Sequence, residues 1–387
     1  MAGSPERRYL LDVSRLVWRV WRGGLPTGID RVCLAYLEQF EDRSLAVVQR
    51  SGVQLVLSAS HSAWLFRILR EAGPAARRRL IMLAASAGPR ALRSKPTAGS
   101  IYLNVGHTGL NEPSLPAWVR RHRLRAVYLI HDLIPLTHPQ FCRAGEAAKH
   151  EQRMDTVLSS AAGVIGNSQA TLDELAMFAR ARGVAMPASL PALISGIPAA
   201  TKVLPRMQDR PYFVTVGTIE GRKNHKLLLE VWRSLVSQLG ANAPMLVIIG
   251  TRGWQAEETF EQLDRLGDLA GHVWELGRCG DEQLAAWIAG ARAVLMPSFA
   301  EGFGLPVIEA LQLGTPVIAT DLPVYREIAG EIPCYLKADD CEGWKQAVVG
   351  YCTDDPDRVR QVSAAQTYVA PSWPMHFDLV ERWLDKL

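Results

Sequence analysis

The chain has 387 residues, 48% hydrophobic and 21% charged, with a formal net charge of +4. That length suits two or more domains, each burying its own core. No apolar run reaches the roughly 18 residues of a membrane span, and the amino end, MAGSPERRYLLDVSRL, lacks the apolar core of a signal peptide. Cys33, Cys142, Cys279, Cys334, Cys341 and Cys352 show no close CxxC pairing, so neither a zinc site nor a disulfide framework is indicated and reduced thiols in a cytoplasm are expected. Residues 1–200 hold 25 Lys and Arg against 14 Asp and Glu, a balance of +11; residues 201–387 hold 18 against 25, a balance of −7. A basic half suits an anionic surface, nucleic acid or lipid. No zinc-finger or RNP-type motif supports a nucleic-acid partner.

Tyr9 to Leu16 reads as a first strand, made polar by Asp12 and Arg15. A loop with Gly23, Gly24, Pro26 and Gly28 follows, and Ile29, Val32, Cys33, Tyr36, Leu37 and Phe40 recur behind it at helical spacing, with Thr27 as the N-cap. Residues 45–58 carry two short apolar runs. Residues 61–95 interleave Trp64, Leu65, Ile68, Leu69, Leu80, Ile81, Leu83 and Ala84 with Arg67, Arg70, Arg77, Arg78, Arg79, Arg90 and Arg93. Such a basic amphipathic stripe either lies in a membrane interface or packs on the protein's own core.

Strand signals return at Ile101 to Val105 and at Ala126 to Ile130, and the second runs straight into HDLIPLTHP, residues 131–139. His131 and Asp132 therefore fall at a strand's carboxyl end, where open α/β sheets bind ligands. His107 is a second candidate on the same edge. Val164 to Gly166 leads into NSQATLDEL, with Ser168 as a helix cap. Residues 196–211, with three prolines and no apolar period, read as an interdomain linker.

Beyond the linker, strands are expected near 212–217, 245–249, 272–276, 293–296, 316–319 and 334–337, with helices between them: a doubly wound parallel sheet. The first strand ends in GTIEGRKNHKLLLEVW, where a glycine, Arg222, Lys223 and a helix start suit a diphosphate. The third ends in LGRCGDEQL, carrying Gly277 and Arg278. The fourth ends in the stretch AVLMPSFAEGFGLPVIEALQLGTPVIAT, residues 293–320. Here Glu301, Gly302, Phe303 and Gly304 form the loop, Leu305 opens the helix, and Glu309 lies about two turns past Glu301. A carboxylate beside amides that attract phosphate suits a ligand with a phosphate end and a hydroxyl-rich end. Asp355 and Asp357 spell DxD, but Pro356 makes Asp355 read as an N-cap, so no metal site is assigned. No GxxxxGK[ST] or GxGxxG is present, which argues against a P-loop or nicotinamide reading. The tail 371–387 reads as an amphipathic helix.

The EGFGLPVIE motif, with PS before it and GTPVIAT after it, resembles the signature of family 4 of the retaining nucleotide-sugar glycosyltransferases. The resemblance is specific over residues 212–330, moderate over 22–36 and 126–140, and thin over 41–100. It implies a GT-B fold: two Rossmann-like domains facing a cleft, an acceptor-side domain over 1–200 joined by the C-terminal helix 371–387, and a donor-binding domain over 201–370. It further implies that Gly28 approaches the donor phosphate, that Lys223 binds phosphate, and that Gly277 and Arg278 lie near the nucleotide base. Glu301 would hold sugar hydroxyls, Glu309 the ribose, and His131 would sit beside the anomeric carbon. Thr218 departs from the arginine that many members carry after the glycine, which leaves the role of Arg222 open.

The expected activity is retaining transfer of a hexose, mannose- or rhamnose-like, from a nucleoside-diphosphate sugar such as GDP-mannose to a saccharide acceptor. No metal or other cofactor is expected, and no protein nucleophile. The basic half suggests peripheral attachment at the inner face of a membrane and a lipid-linked acceptor in surface polysaccharide synthesis. The alternatives are a GT-B sugar-nucleotide epimerase and a non-catalytic nucleotide-sugar-binding partner of another transferase.

Overall fold

The computed structural model describes residues 8–23, 27–86, 94–196 and 210–387. Arg90, Arg93 and the expected linker, apart from Gly196 and residues 210–211, lie outside the described residues. Packing divides the chain into two units. One comprises residues 1–133, 147–194 and 373–387; the other comprises 134–146 and 195–372. Residues 134–146, directly after the histidine-bearing strand end, therefore belong to the second unit, and residues 1–200 are not all in one body.

The first unit is built on a seven-stranded sheet. In chain order its strands are β1 (Tyr9–Asp12), β2 (Ser44–Arg50), β3 (Val53–Val56), β4 (Ile101–Asn104), β5 (Arg125–Ile130), β6 (Ala161–Gly166) and β7 (Ala188–Pro191). Their spatial order is β3-β2-β1-β4-β5-β6-β7, and all pairs are parallel except β2 with β3. Near-continuous apolar runs such as Ile101, Tyr102 and Leu103, all fully buried, are what a sheet covered on both faces demands. The chain leaves β1 toward β2 on one side and returns to β4 on the other. The carboxyl ends of β1 and β4 thus flank a switch point.

The first strand is shorter than the sequence suggests. It stops at Asp12, whose carboxylate accepts the Ser14 amide at 3.0 Å, and a helix runs over Ser14–Arg22. Arg15 is thereby a first-turn helix residue, not a strand residue. Asp12 is buried because Gln49 Nε2 and the Tyr102 hydroxyl donate to it at 2.6 and 2.7 Å.

The basic stripe forms the helices Ala59–Glu71 and Ala76–Ala85. Leu65, Phe66, Ile68, Leu69, Leu80 and Leu83 are buried, Arg70 pairs with Glu41, and Arg79 pairs with Glu71. Most of the apolar stripe is therefore core, while Ile81, Met82 and Ala84 stay exposed. The C-terminal helix Trp373–Leu384 packs on this unit. The Tyr36 hydroxyl meets His376 Nε2 at 2.8 Å, and Phe377 sits edge-on to Tyr36 and Phe40.

The second unit holds β8 (Tyr212–Val216), β9 (Met245–Ile249), β10 (Val273–Gly277), β11 (Val294–Met296), β12 (Val317–Thr320) and β13 (Cys334–Leu336). All are parallel, in the order β10-β9-β8-β11-β12-β13. Phe213, Leu246, Leu295 and Ile318 of the sheet pack with Leu228, Trp232, Trp344 and Val348 of the covering helices. The switch point falls between β8 and β11. Two loops 80 residues apart in sequence, 217–224 and 297–304, thereby meet at one sheet edge.

Candidate active site

In the second unit the meeting loops build a buried charge cluster. Lys223 Nζ donates to Glu301 Oε1 at 2.5 Å and Arg222 donates to Glu301 Oε2 at 2.8 Å. The Ser298 hydroxyl donates to Oε1 at 2.6 Å, and Arg222 Nε reaches Glu220 at 2.7 Å. Burial pushes the Glu301 carboxyl up, but Lys223 and Arg222 outweigh it and hold it down at about 2, so it is a carboxylate at any working pH. Burial lowers the Lys223 ammonium, against the opposing pull of Glu301. Burial raises the Glu220 carboxyl.

Backbone geometry holds these groups together. Lys223 lies over Gly217, where φ is +138° and a Cβ would stand 3.2 Å from Lys223 Cε. The Phe299 amide bonds the Arg222 carbonyl at 2.8 Å, and Asn224 ties to the carbonyls of Pro297 and Ala338. Gly304, with φ +105°, precedes the helix Leu305–Gln312; a Cβ there would meet the Tyr325 ring at 2.6 Å. Phe303 is buried, and Gly302 and Leu305 flank the same turn. His225 opens the helix His225–Leu239, fully enclosed with neither ring nitrogen bonded; burial and then Lys223 push it down to about 3.

Glu309 does not share the Glu301 setting. It is buried on its helix, where a Cβ at Gly196 would lie 3.3 Å from its Cγ. Gly277 (φ +62°) is the last residue of the edge strand β10 and Arg278 follows it, on a strand two places from β8. The segment 134–146 adds an aromatic neighbour that the sequence did not announce. Phe141 stacks on Phe299 at 5.2 Å between ring centroids, and its carbonyl accepts the Trp254 indole N–H at 3.2 Å.

In the first unit His131 directly follows β5 and is buried. Its Nε2 meets the Val105 carbonyl at 2.8 Å, which makes Nε2 the protonated nitrogen and leaves Nδ1 an acceptor. Burial brings its pKa down to about 4, so it is neutral near pH 7. His107 packs 4.9 Å from it, ring to ring, with φ +59°, and bonds the Leu129 carbonyl. Gly28 is the exposed first residue of the helix Gly28–Phe40, capped by Thr27 and Asp30. Arg15, missed as a site residue in the sequence, pairs with Asp30 at 2.8 Å, packs on Gly106 and adds positive potential at His131. Its one sequence signal was a charge inside the segment read as the first strand. Asp355 accepts the Asp357 amide at 2.8 Å as an N-cap, while Asp357 bonds Tyr351 and Arg360.

Two Rossmann-like sheets, one wholly parallel and one parallel but for its β2–β3 pair, make this a GT-B glycosyltransferase fold. Solved structures agree. Anabaena HepE in complex with UDP-glucose aligns at TM-score 0.65 with 15% identity, over 98% of this chain and 99% of that one. Sucrose-phosphate synthase from Thermosynechococcus elongatus aligns at 0.62 with 16% identity, over 97% and 98%. At such identity the likeness shows the fold alone. Residues 197–365 match the family model Glycosyl transferases group 1. Among curated relatives, the serotype-specific mannosyltransferase WbdA of Escherichia coli is 31% identical over 232 residues, 55% of this chain. The O-antigen chain mannosyltransferase B of Escherichia coli is 28% identical over 248 residues, covering 62% of this chain and 65% of that one. The phosphatidyl-myo-inositol mannosyltransferase of Mycolicibacterium smegmatis is 31% identical over 39% of this chain. The alignment spans only 28% of WbdA.

Proposed function

We propose that the chain is a retaining hexosyltransferase, using a nucleoside-diphosphate sugar, with GDP-mannose the leading donor, and a saccharide acceptor. The observation that carries this reading is the Glu301 carboxylate kept ionised between Lys223 and Arg222 at the β8/β11 switch point. When a nucleoside diphosphate leaves, negative charge grows on its β-phosphate, and a preorganised cation in a buried site is the effective stabiliser. Lys223 supplies it, with the amide end of the helix Leu305–Gln312. Glu301 accepts hydrogen bonds from sugar hydroxyls, and Glu309 serves the ribose. Neutral His131 accepts through Nδ1 beside the anomeric carbon. A donor phosphate oxygen takes the acceptor's proton on the face the leaving group quits, so configuration is retained without a protein nucleophile. In this reading Lys223 and helix amides take the place of a metal.

The names of the relatives favour mannose as the sugar and a lipid-linked or polymeric acceptor in surface polysaccharide synthesis. Among the described residues no helix is long and apolar enough to cross a membrane. Peripheral attachment would use what the first unit leaves open: Ile81, Met82 and Trp21 are exposed, and Arg77 lies 4.8 Å over the Trp21 ring. Binding to anionic but not neutral vesicles, weakened by salt and by Arg77→Glu with Arg78→Glu, is the expected result; indifference to both vesicle types removes the membrane part.

The deciding experiment for the activity is a panel of nucleotide sugars. The true donor at 100 times its Kd stabilises the chain by about 2.7 kcal/mol, and product analysis then reads transfer. Free sugar without transfer would favour the epimerase alternative. Binding without any turnover would favour the non-catalytic partner.

A further inference from the structure

Residues 134–146 interrupt the first unit in sequence but pack with the second. They form the helical turn Ile134–Thr137 and a tighter turn over Pro139–Phe141, where the proline ring fixes the backbone ahead of Phe141. The Phe141 amide bonds the His138 carbonyl at 3.1 Å, and the two rings lie near-parallel at 6.3 Å. Phe141 is also pinned to the loop after β9. Its carbonyl accepts the Trp254 indole N–H at 3.2 Å, and the Arg143 guanidinium lies 4.8 Å over the Trp254 ring.

The Phe141 ring meets both loops of the Lys223–Glu301 cluster. It packs on Gly221, directly before Arg222 and Lys223. A Cβ added there would stand 3.3 Å from Phe141 Cδ1 and 2.4 Å from the Gln255 carbonyl oxygen, so the close approach requires a glycine. The ring also lies flat on Phe299, two residues before Glu301, with centroids 5.2 Å and planes 12° apart, the geometry of an attractive offset stack. Phe299 is 37% exposed, so the core gives it limited support. Its amide bonds the Arg222 carbonyl at 2.8 Å, and Arg222 Nη1 bonds the Ala300 carbonyl at 2.8 Å. A shift of Phe299 is therefore passed to Arg222 on one loop and to Glu301 on the other. Lys223 acts through a flexible four-carbon stem, so its aim depends on where its backbone is held.

We infer that Phe141 is a positioning residue: its ring sets the spacing of the loops 217–224 and 297–304, and so the aim of Lys223 and Arg222 at Glu301. It acts through Gly221 and Phe299 and not on the substrate. Its effect on turnover rests on the transferase reading; its effect on the charge cluster rests on packing alone.

The test uses the full 387-residue chain. Denaturant midpoints are measured for Lys223→Met, Glu301→Gln and the double variant, once with Phe141 and once with Phe141→Ala. The coupling between Lys223 and Glu301 that this cycle reads is expected to fall by at least about half when the ring is removed. A ring that only fills space would lower every midpoint together and leave the coupling intact, and that result overturns the inference. Turnover at saturating nucleotide sugar is expected to fall about tenfold or more in Phe141→Ala, because a small misplacement of the catalytic charges is costly. Phe141→Tyr, which keeps the ring, should return it toward the parent value. Full turnover in Phe141→Ala also overturns the inference. If Phe141→Ala does not fold, Trp254→Phe takes its place: the ring stays, its carbonyl loses the indole donor, and coupling and turnover should fall in the same direction by a smaller factor. Unchanged coupling in that variant is again fatal. A parent chain that turns over no nucleotide sugar defeats the transferase reading only, since the coupling measurement involves no turnover and still decides whether Phe141 aims the cluster.

Discussion

Lys223→Met is the most informative single change, because Lys223 is the ion partner of Glu301 and the charge placed for the leaving phosphate. Breaking a buried pair by removing one partner costs roughly 3–5 kcal/mol. The low end, about 3 kcal/mol, is expected here because Arg222 remains on Oε2 at 2.8 Å and Ser298 on Oε1 at 2.6 Å. Loss of one preorganised charge-stabilising donor lowers turnover by about 10²–10³. Urea denaturation and turnover at saturating nucleotide sugar measure the two effects. Their separation comes from the double variant: Glu301→Gln added to Lys223→Met removes the under-compensated carboxylate and should restore at least about 1 kcal/mol of stability, through the coupling of contacting residues. Turnover should stay low, since the phosphate charge is still missing. Turnover of Lys223→Met within threefold of the parent would refute the phosphate role. Strictly additive losses of stability would refute the pairing.

Glu301→Gln should lower turnover more than nucleotide affinity, whereas Glu309→Gln should do the reverse; matching kinetic profiles would mean the two carboxylates are not divided between sugar and ribose. Activity should survive EDTA, and a loss restored by Mg²⁺ or Mn²⁺ would bring Asp355 and Asp357 back into question. Gly304→Ala places a methyl 2.6 Å from the Tyr325 ring at φ +105°, so unfolding stability should fall by about 1–3 kcal/mol, read as a lower denaturant midpoint. Acid should weaken the fold in two stages. His131 and His376, both held near 4 by burial against an ordinary 6.5, bind protons more readily unfolded, so stability falls between about pH 6.5 and 4. Glu301, held near 2 against 4.5, adds up to about 3 kcal/mol above pH 4.5 that disappears as pH drops toward 2. Denaturation midpoints flat from pH 7 to 4 would contradict the buried neutral histidines.

The sequence by itself determined the parts that local pattern encodes. Near-continuous apolar runs such as Met245–Ile249, short and bounded by turn residues, read as strands buried on both faces, and their alternation with amphipathic segments points to a parallel sheet with crossovers. The EGFGLPVIE stretch located the Glu301 turn, because a glycine with φ +105° and a helix start leave a fixed mark in residue types. Pro356 behind Asp355 likewise announced a cap. Tertiary structure alone decided which distant charges share a site. Strand order brings β8 beside β11, so Lys223 and Arg222 close on a glutamate 78 and 79 residues away, a pairing that no spacing rule contains. The basic stripe shows the same limit. Periodicity reports that one face of residues 61–95 is apolar but not what covers it, and Ile68 and Leu69 proved to be core while Ile81 and Met82 did not. Arg15 was hidden for the opposite reason. The strand ends at Asp12, which accepts the Ser14 amide, and a helix follows, so a charge read as part of a strand becomes a helix residue paired with Asp30.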